Sequence, residues 1–289
     1  MLTKKLILLI AVLACTTLAC GFTVNIPITT EIKTGPTVTE DILVTDPDPD
    51  ADTLDVSIAF GAGELKIEPG AESLIEGTAV YNVEDFRPEV ETSNRRVELS
   101  TGNLEIEGIP RFNNRMQNDW DLKLSDRPMN LRIMAGAYKG GFELGGLSLT
   151  ELHVTDGAAD VRVNFAEPNQ VVLDDLIYET GASSVVLTNL GNANFNSMVF
   201  KGGAGNYELD FSGNLEQDAT VLVETGLSDM TITIPDDFDV QVSIEGGLTN
   251  IATRGSWGHT GGRYTHDGDG PALDITIKMG AGNLILAVE

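Results

Sequence analysis

Gly280-Ala281-Gly282-Asn283-Leu284, near the C-terminus, closes a series of like phrases, and that series decides the fold. Upstream stand Gly247-Leu248-Thr249-Asn250-Ile251, Gly226-Leu227-Ser228-Asp229-Met230 and Gly203-Ala204-Gly205-Asn206-Tyr207. Gly181-Ala182-Ser183-Ser184-Val185 and Gly157-Ala158-Ala159-Asp160-Val161 precede them, and looser copies begin at Ser100 and Gly61. From Gly157 to Gly247 the steps are 24, 22, 23 and 21 residues. A fixed period of this size marks stacked repeats, each burying its apolar face only against its neighbours.

Apolar residues alternate on both sides of each phrase, as in Leu273-Ile275-Ile277 before Gly280 and Leu284-Leu286-Val288 after it. Period-two alternation is the mark of a strand with one buried face. The glycine suits a corner where φ is positive or where two backbones approach closely. Three places on comes a short polar residue in most copies (Asn103, Asp160, Ser184, Asn206, Asp229, Asn250, Asn283). Such residues bond nearby backbone, and in a stack they would form a ladder along one edge. The Ala or Leu after the glycine is expected to point inward. Outside the first twenty residues no long segment has helical periodicity, so the body is predicted to be all-β. The prediction is a parallel, right-handed β-solenoid with ~22-residue coils. An antiparallel meander with the phrases as hairpin turns remains open, although such turns favour Asn-Gly or Asp-Gly.

Residues 1–19 read as a signal peptide, with Lys4 and Lys5 ahead of an apolar run. The uncharged stretch from Leu6 to Cys20 is 15 residues, short of the ~20 that a spanning helix needs. Thr17-Leu18-Ala19-Cys20-Gly21 resembles a bacterial lipobox, which implies lipidation of Cys20 and a lipid-anchored protein of the cell envelope. Thr17 stands where leucine is usual. Cys15 is a rival site, and an ordinary secretory signal is a further reading. Cleavage before Cys20 leaves a single cysteine and rules out an internal disulfide. It also removes two lysines and no acids, leaving 16 basic against 44 acidic side chains, a net of −28. That charge disfavours nucleic acid and anionic lipid surfaces as partners. Residues 20–53, with Asp46-Pro47-Asp48-Pro49-Asp50, read as an extended acidic tether. Its prolines and missing glycine argue against a calcium loop. The body divides into an irregular part, 54–130, and a regular part, 131–289, with an insertion at 252–272.

Leu54-Asp55-Val56-Ser57-Ile58, Gly61 to Ile67, Leu74-Ile75-Glu76-Gly77, Tyr81-Asn82 and Pro88-Glu89-Val90-Glu91 resemble the N-terminal part of the toast-rack family of bacterial envelope proteins. That family is related to the LiaF-like proteins of the cell-wall antibiotic response and to adhesin-type β-solenoids. Gly255-Ser256-Trp257, Gly262-Arg263-Tyr264 and Leu273-Asp274-Ile275 resemble the closing insertion of those solenoids. The resemblance covers about 54–289 and implies an envelope role, stress-linked or adhesive. LiaF-type proteins usually carry membrane helices, and this sequence shows none.

Catalytic constellations are hard to assemble from this sequence. The three histidines are His153, His259 and His266, and no Gly-x-Ser-x-Gly elbow or lysine-bearing phosphate loop occurs. No cysteine pair remains for zinc after processing. No cofactor and no metal site is expected, and the chain is read as a non-enzyme. The remaining candidate is the insertion, where Trp257, His259, Arg263, Tyr264, His266, Asp267 and Asp269 gather as a ligand loop or as a cap on the last coil. The corner glycines Gly61, Gly157, Gly181, Gly203, Gly226, Gly247 and Gly280 are structural candidates. Two functions follow. The first is a non-catalytic envelope lipoprotein presenting an interaction surface for adhesion, scaffolding or stress sensing, with an envelope protein or glycan as partner. The alternative is a polysaccharide-active lyase or hydrolase, which would need carboxylates from several coils converging in one groove.

Overall fold

The computed structural model describes residues 34–102 and 116–289. The signal segment, Cys20, Asn103, Arg111 and Arg115 lie outside the described residues. Among the described residues fifteen strands form one sheet. Eight are long: β2 (Leu54–Pro69), β7 (Met129–Glu143), β8 (Leu149–Asn164), β9 (Leu173–Thr188), β10 (Phe195–Asp210), β11 (Ala219–Ile234), β12 (Asp239–Arg254) and β15 (Ala272–Val288). Every pairing between them is parallel, with one register shift, at Met129/Asn130 where β7 meets β8. The solenoid is therefore established and the meander is excluded.

Every glycine phrase but the one at Ser100 sits in the middle of a long strand, where a break between two short strands was expected. The bend shows in the phase of burial. In β10 Met198 and Phe200 are buried before Gly203, then Tyr207 and Leu209 after it. In β11 Val221 and Val223 give way to Met230 and Ile232. A straight strand keeps one parity inward, so a change of parity across the phrase means the strand turns a corner. Both arms then face one core, where each large apolar side chain contributes about 1.5–3 kcal/mol by burial. Loops close the third side. In the short helix α1 (Leu190–Ala193), Gly191 N–H bonds Ser212 O at 2.9 Å, and Asn192 O accepts from Asn169 N–H at 2.8 Å.

The corner needs glycine because backbones meet there. A Cβ on Gly203 would lie 2.5 Å from Gly181 O, and one on Gly226 2.5 Å from Gly203 O. The same relation links Gly61, Gly136, Gly157 and Gly181, and runs on from Gly226 to Gly280 and Gly247, at 2.4–3.0 Å. Among the described residues of the phrases a positive φ occurs only at the third residue of two of them, Gly63 and Gly282. The residue after the glycine is not inward: Leu227 is 65% exposed. What points into the corner is the residue before it, such as Thr225 or Met279. The polar residues three places on do align. Asp229 accepts from Asn283 Nδ2 at 2.6 Å, and Asn283 Oδ1 accepts from Asn250 Nδ2 at 3.4 Å.

The stacking order departs from chain order. β15 lies between β11 and β12, so the neighbour of Gly226 is Gly280, and β12 is the last coil. Two short strands, β13 (Gly258–Thr260) and β14 (Arg263–His266), lie in the connection that makes this return possible, and β14 pairs antiparallel with β12.

At the other end the coil splits. The first arm of β2 pairs with β5 (Arg96–Thr101), whose outer neighbour is β4 (Pro88–Ser93). Its second arm pairs with β6 (Asn118–Leu124), then β3 (Ile75–Tyr81) and β1 (Val38–Val44). β1 corrects the reading of 20–53 as one tether, because Ile42 and Val44 are buried against β3. The acidic run that follows is held too. Asp46 forms a 2.8 Å salt bridge with Arg127, and Arg127 Nη2 donates to Ala51 O at 2.8 Å. Among the described residues no helix is long and apolar enough to cross a membrane.

Candidate functional site

The insertion folds as a two-stranded hairpin laid on the first arm of the last coil. Val240–Ser243 of β12 pair with Arg263–His266 of β14. Arg263 Nη1 donates to Gln241 Oε1 at 3.2 Å, and His259 stacks on Tyr264 with ring centroids 4.4 Å apart. Trp257 donates its indole N–H to Arg254 O at 3.1 Å, and its ring lies 6.1 Å from that of His266. Asp267 and Asp269 are exposed, and among the described residues no group of His, Cys, Asp and Glu is arranged to hold a metal. Five of the seven candidates thus cover the end of the stack, while the two aspartates stay in solvent.

His266 holds that cover down. Its Nδ1 is 2.9 Å from Ser256 O and its Nε2 is 3.0 Å from Asp236 O. Carbonyl oxygens only accept, so the two contacts together favour the imidazolium form, in which both ring nitrogens donate. The bond to Asp236 O raises its pKa most. The bond to Ser256 O and the charges of Asp236 and Asp267 add to this, while burial opposes them.

A second polar cluster, absent from the sequence reading, lies inside the corner of coils β8 and β9. Asp156 is buried and precedes Gly157, so it occupies the inward position of its phrase. Its carboxylate accepts from Tyr178 Oη at 2.7 Å, from Ser183 Oγ at 3.3 Å, and from Thr180 Oγ1. Tyr138 Oη stands at 3.5 Å. Burial pushes the phenols of Tyr138 and Tyr178 up, and the charge of Asp156 adds to the rise. Hydroxyl donors replace the water that a buried carboxylate would lose. The carboxylate and the hydroxyls are partnered with one another within the corner, which serves the fold. Tyr178→Phe should remove one charge-assisted bond and lower unfolding free energy by about 1.5 kcal/mol. Urea titration followed by circular dichroism checks this, and an unchanged midpoint would contradict the account.

Elsewhere the charges scatter along outward rows. Lys201 lies in register between Glu179 and Glu224, and Lys278 next to Glu224. The pairs Lys201–Glu179 at 2.8 Å and Lys278–Glu224 at 3.0 Å are exposed, each contributing about 0–1 kcal/mol. Opposite charges on adjacent strands favour the observed register.

The chain matches the family model for the N-terminal domain of toast-rack proteins, DUF2154, over residues 30–175. It belongs to the toast-rack family. Its fold is similar to that of a Clostridium sporogenes protein provisionally named a cell adhesion protein. That match has a TM-score of 0.52 at 18% identity and covers 88% of this chain and 100% of that one. Proteins provisionally named adhesins from Bacteroides fragilis and Parabacteroides merdae align at 9% identity, with TM-scores of 0.35 and 0.37. These alignments cover 89% and 88% of this chain, and 99% and 97% of theirs. No curated protein matches the chain.

Proposed function

We propose that this protein is a non-catalytic lipoprotein of the bacterial cell envelope, anchored through Cys20 and presenting the outside of its solenoid as an interaction surface. Adhesion, scaffolding or stress sensing are the roles such a surface serves. The supporting observation is the unbroken parallel sheet, which holds outward side chains in straight rows, one strand spacing (~4.8 Å) apart. A rigid array of this kind binds without moving parts. Membership of the toast-rack family and the adhesion names given to similar folds agree with it. The acidic charge keeps the body in solution beside an anionic membrane. Lipoprotein processing supplies two or more acyl chains, and two suffice for stable anchoring where one is marginal.

Fractionation of cells carrying Cys20→Ala tests the anchor. The variant is expected in the soluble exported fraction while the parent stays with membranes, and mass spectrometry of the parent should show a lipidated N-terminal cysteine. A variant that remains membrane-bound would sink the anchor. In-cell crosslinking tests the surface. If the purified protein instead depolymerises an envelope glycan, and loses that activity on one carboxylate substitution, the non-catalytic reading is wrong.

A further inference from the structure

The outer face of the first arm, near the end where the coil splits, carries a trough of about 300 Å³. Cross-strand register explains it. One row runs Glu98–Ser57–Arg132–His153 over β5, β2, β7 and β8, and the next runs Arg96–Asp55–Asn130–Glu151. The middle of each row is short or tied down. Asn130 Nδ2 donates to Asp55 Oδ1 at 3.0 Å, and Thr150 Oγ1 donates to Asn130 Oδ1 at 2.7 Å. Long charged side chains stand on both sides of this floor. The first row sets an acid, Glu98, against a base, Arg132, and the second sets Arg96 against Glu151. Two strand spacings separate Glu98 from Arg132 and three separate Arg96 from Glu151, roughly 10 and 14 Å. Among the described residues none of these four has a side-chain hydrogen bond or a salt bridge. That contrasts with the paired Lys201 and Lys278 further along the same arm. All the lining residues fall inside the stretch that the toast-rack model matches.

We propose that this trough binds a short extended peptide bearing an acidic and a basic side chain two residues apart. On one side Arg96 then Glu98 alternate in sign along β5, and on the other Glu151 of β8 and Arg132 of β7 stand diagonally across adjacent strands. Side chains at i and i+2 of an extended chain lie on one face, ~6.6–7 Å apart, which matches Arg96 and Glu98. A strand spacing added to that offset puts Glu151 and Arg132 roughly 8 Å apart. An acid beside Arg132 and a base beside Glu151 satisfies one wall, and the reverse order satisfies Arg96 and Glu98. A simple anion would meet three carboxylates in the same cavity, so the site selects for both signs at once. A volume near 300 Å³ suits two or three residues, at the small end of ligand sites.

The inference rests on the reading of the sheet exterior as the working surface, yet it is tested without reference to anchoring or location. NMR titration of the purified full chain with acetyl-Glu-Ala-Lys-amide should show saturable shifts confined to β2, β5, β7 and β8. Arg132→Gln and Glu151→Gln should each weaken binding about fivefold, as expected for an ion pair at a partly exposed site. Arg162→Gln, on the second arm, should leave it within about twofold. All three positions are at the surface, and circular dichroism of each variant confirms folding. The proposal is overturned by absence of saturable binding, or by equal binding of acetyl-Gln-Ala-Gln-amide. Equal binding of acetyl-Glu-Ala-Glu-amide would reduce the trough to an anion site and overturn it too. So would trough variants that bind like the parent. None of these results bears on Cys20, whereas a membrane-bound Cys20→Ala protein would fail the proposed function and leave the trough standing.

Discussion

Gly203→Val is expected to destabilise the body by more than ~3 kcal/mol, a drop of roughly 10 °C in melting temperature. The added Cβ would sit 2.5 Å from Gly181 O, closer than side-chain carbons approach any atom in real structures. The obstacle is backbone in the centre of a parallel ladder, so no rotamer change relieves it. Moving Gly181 O outward pulls β9 off β10, where pairing runs from Phe195 to Leu209. Moving Gly203 itself disturbs Gly226 on the other side, whose own Cβ position is 2.5 Å from Gly203 O. Overpacking that forces backbone shifts costs about 1–3 kcal/mol. Here two strand interfaces are disturbed, and a loss above ~3 kcal/mol is expected from a total of only 5–15. Ala204→Val, one residue on and exposed, should cost less than ~0.5 kcal/mol. Thermal melting by circular dichroism separates the two. A Gly203→Val protein that melts within a few degrees of the parent would show that the corner tolerates a side chain and that its glycines are incidental.

The same glycines explain how much of the fold can be read from the chain. Each phrase puts a residue without a side chain at the one point in the coil where neighbouring backbones close up. The steric demand therefore repeats with the coil and is visible as a period. Alternation on both sides identifies the two arms, and the change of burial phase across the phrase identifies the bend. What the period hides is order. Gly247 follows Gly226 by 21 residues, a normal step, yet β15 enters between their strands. Only pairing energies across the whole sheet decide that insertion. β1 was obscured for a different reason: Ile42 and Val44 are its sole buried residues, set among Thr, Glu and Asp, and its stability comes from pairing with β3. Asp156 left a faint trace, an acid at a position where other copies carry Thr180, Gly202, Thr225 or Met279. The trough left none, because its four charges come from three strands, β5, β7 and β8, that only the register brings together. Trp257 and Tyr264 were visible as an aromatic cluster. Their role as part of a cap follows from β14 pairing with β12.

His266 is expected to make the cap sensitive to pH, with stability falling as pH rises through neutrality. The ring is buried between two carbonyls, with the carboxylates of Asp236 and Asp267 and the ring of Trp257 as its other neighbours. Losing a proton turns one N–H donor into a lone pair facing an oxygen about 3 Å away. The folded protein therefore binds the proton more tightly than the unfolded chain, and the folded pKa lies above the ordinary value of 6.5. A group shifted upward stabilises fully below its unfolded pKa, and the contribution disappears as pH passes the folded pKa. His266→Gln keeps one amide donor but no charge. At pH 6 it should be less stable than the parent by about 1.5–3 kcal/mol, the size of a hydrogen bond to a charged group. By pH 9 the gap should have narrowed. In a body of this size that is a melting difference of several degrees that shrinks with pH. The difference between parent and variant is the quantity to follow, because the net charge of −26 makes any such body repel itself more as pH rises. Measurements stay above pH 5, since Glu40 and Glu179, whose pKa values are lowered by hydrogen bonds to Tyr81 and Lys201, begin to lose their own contributions below it. A gap that is constant from pH 6 to pH 9 would mean that His266 is neutral in the folded protein, and that the cap is held by packing alone.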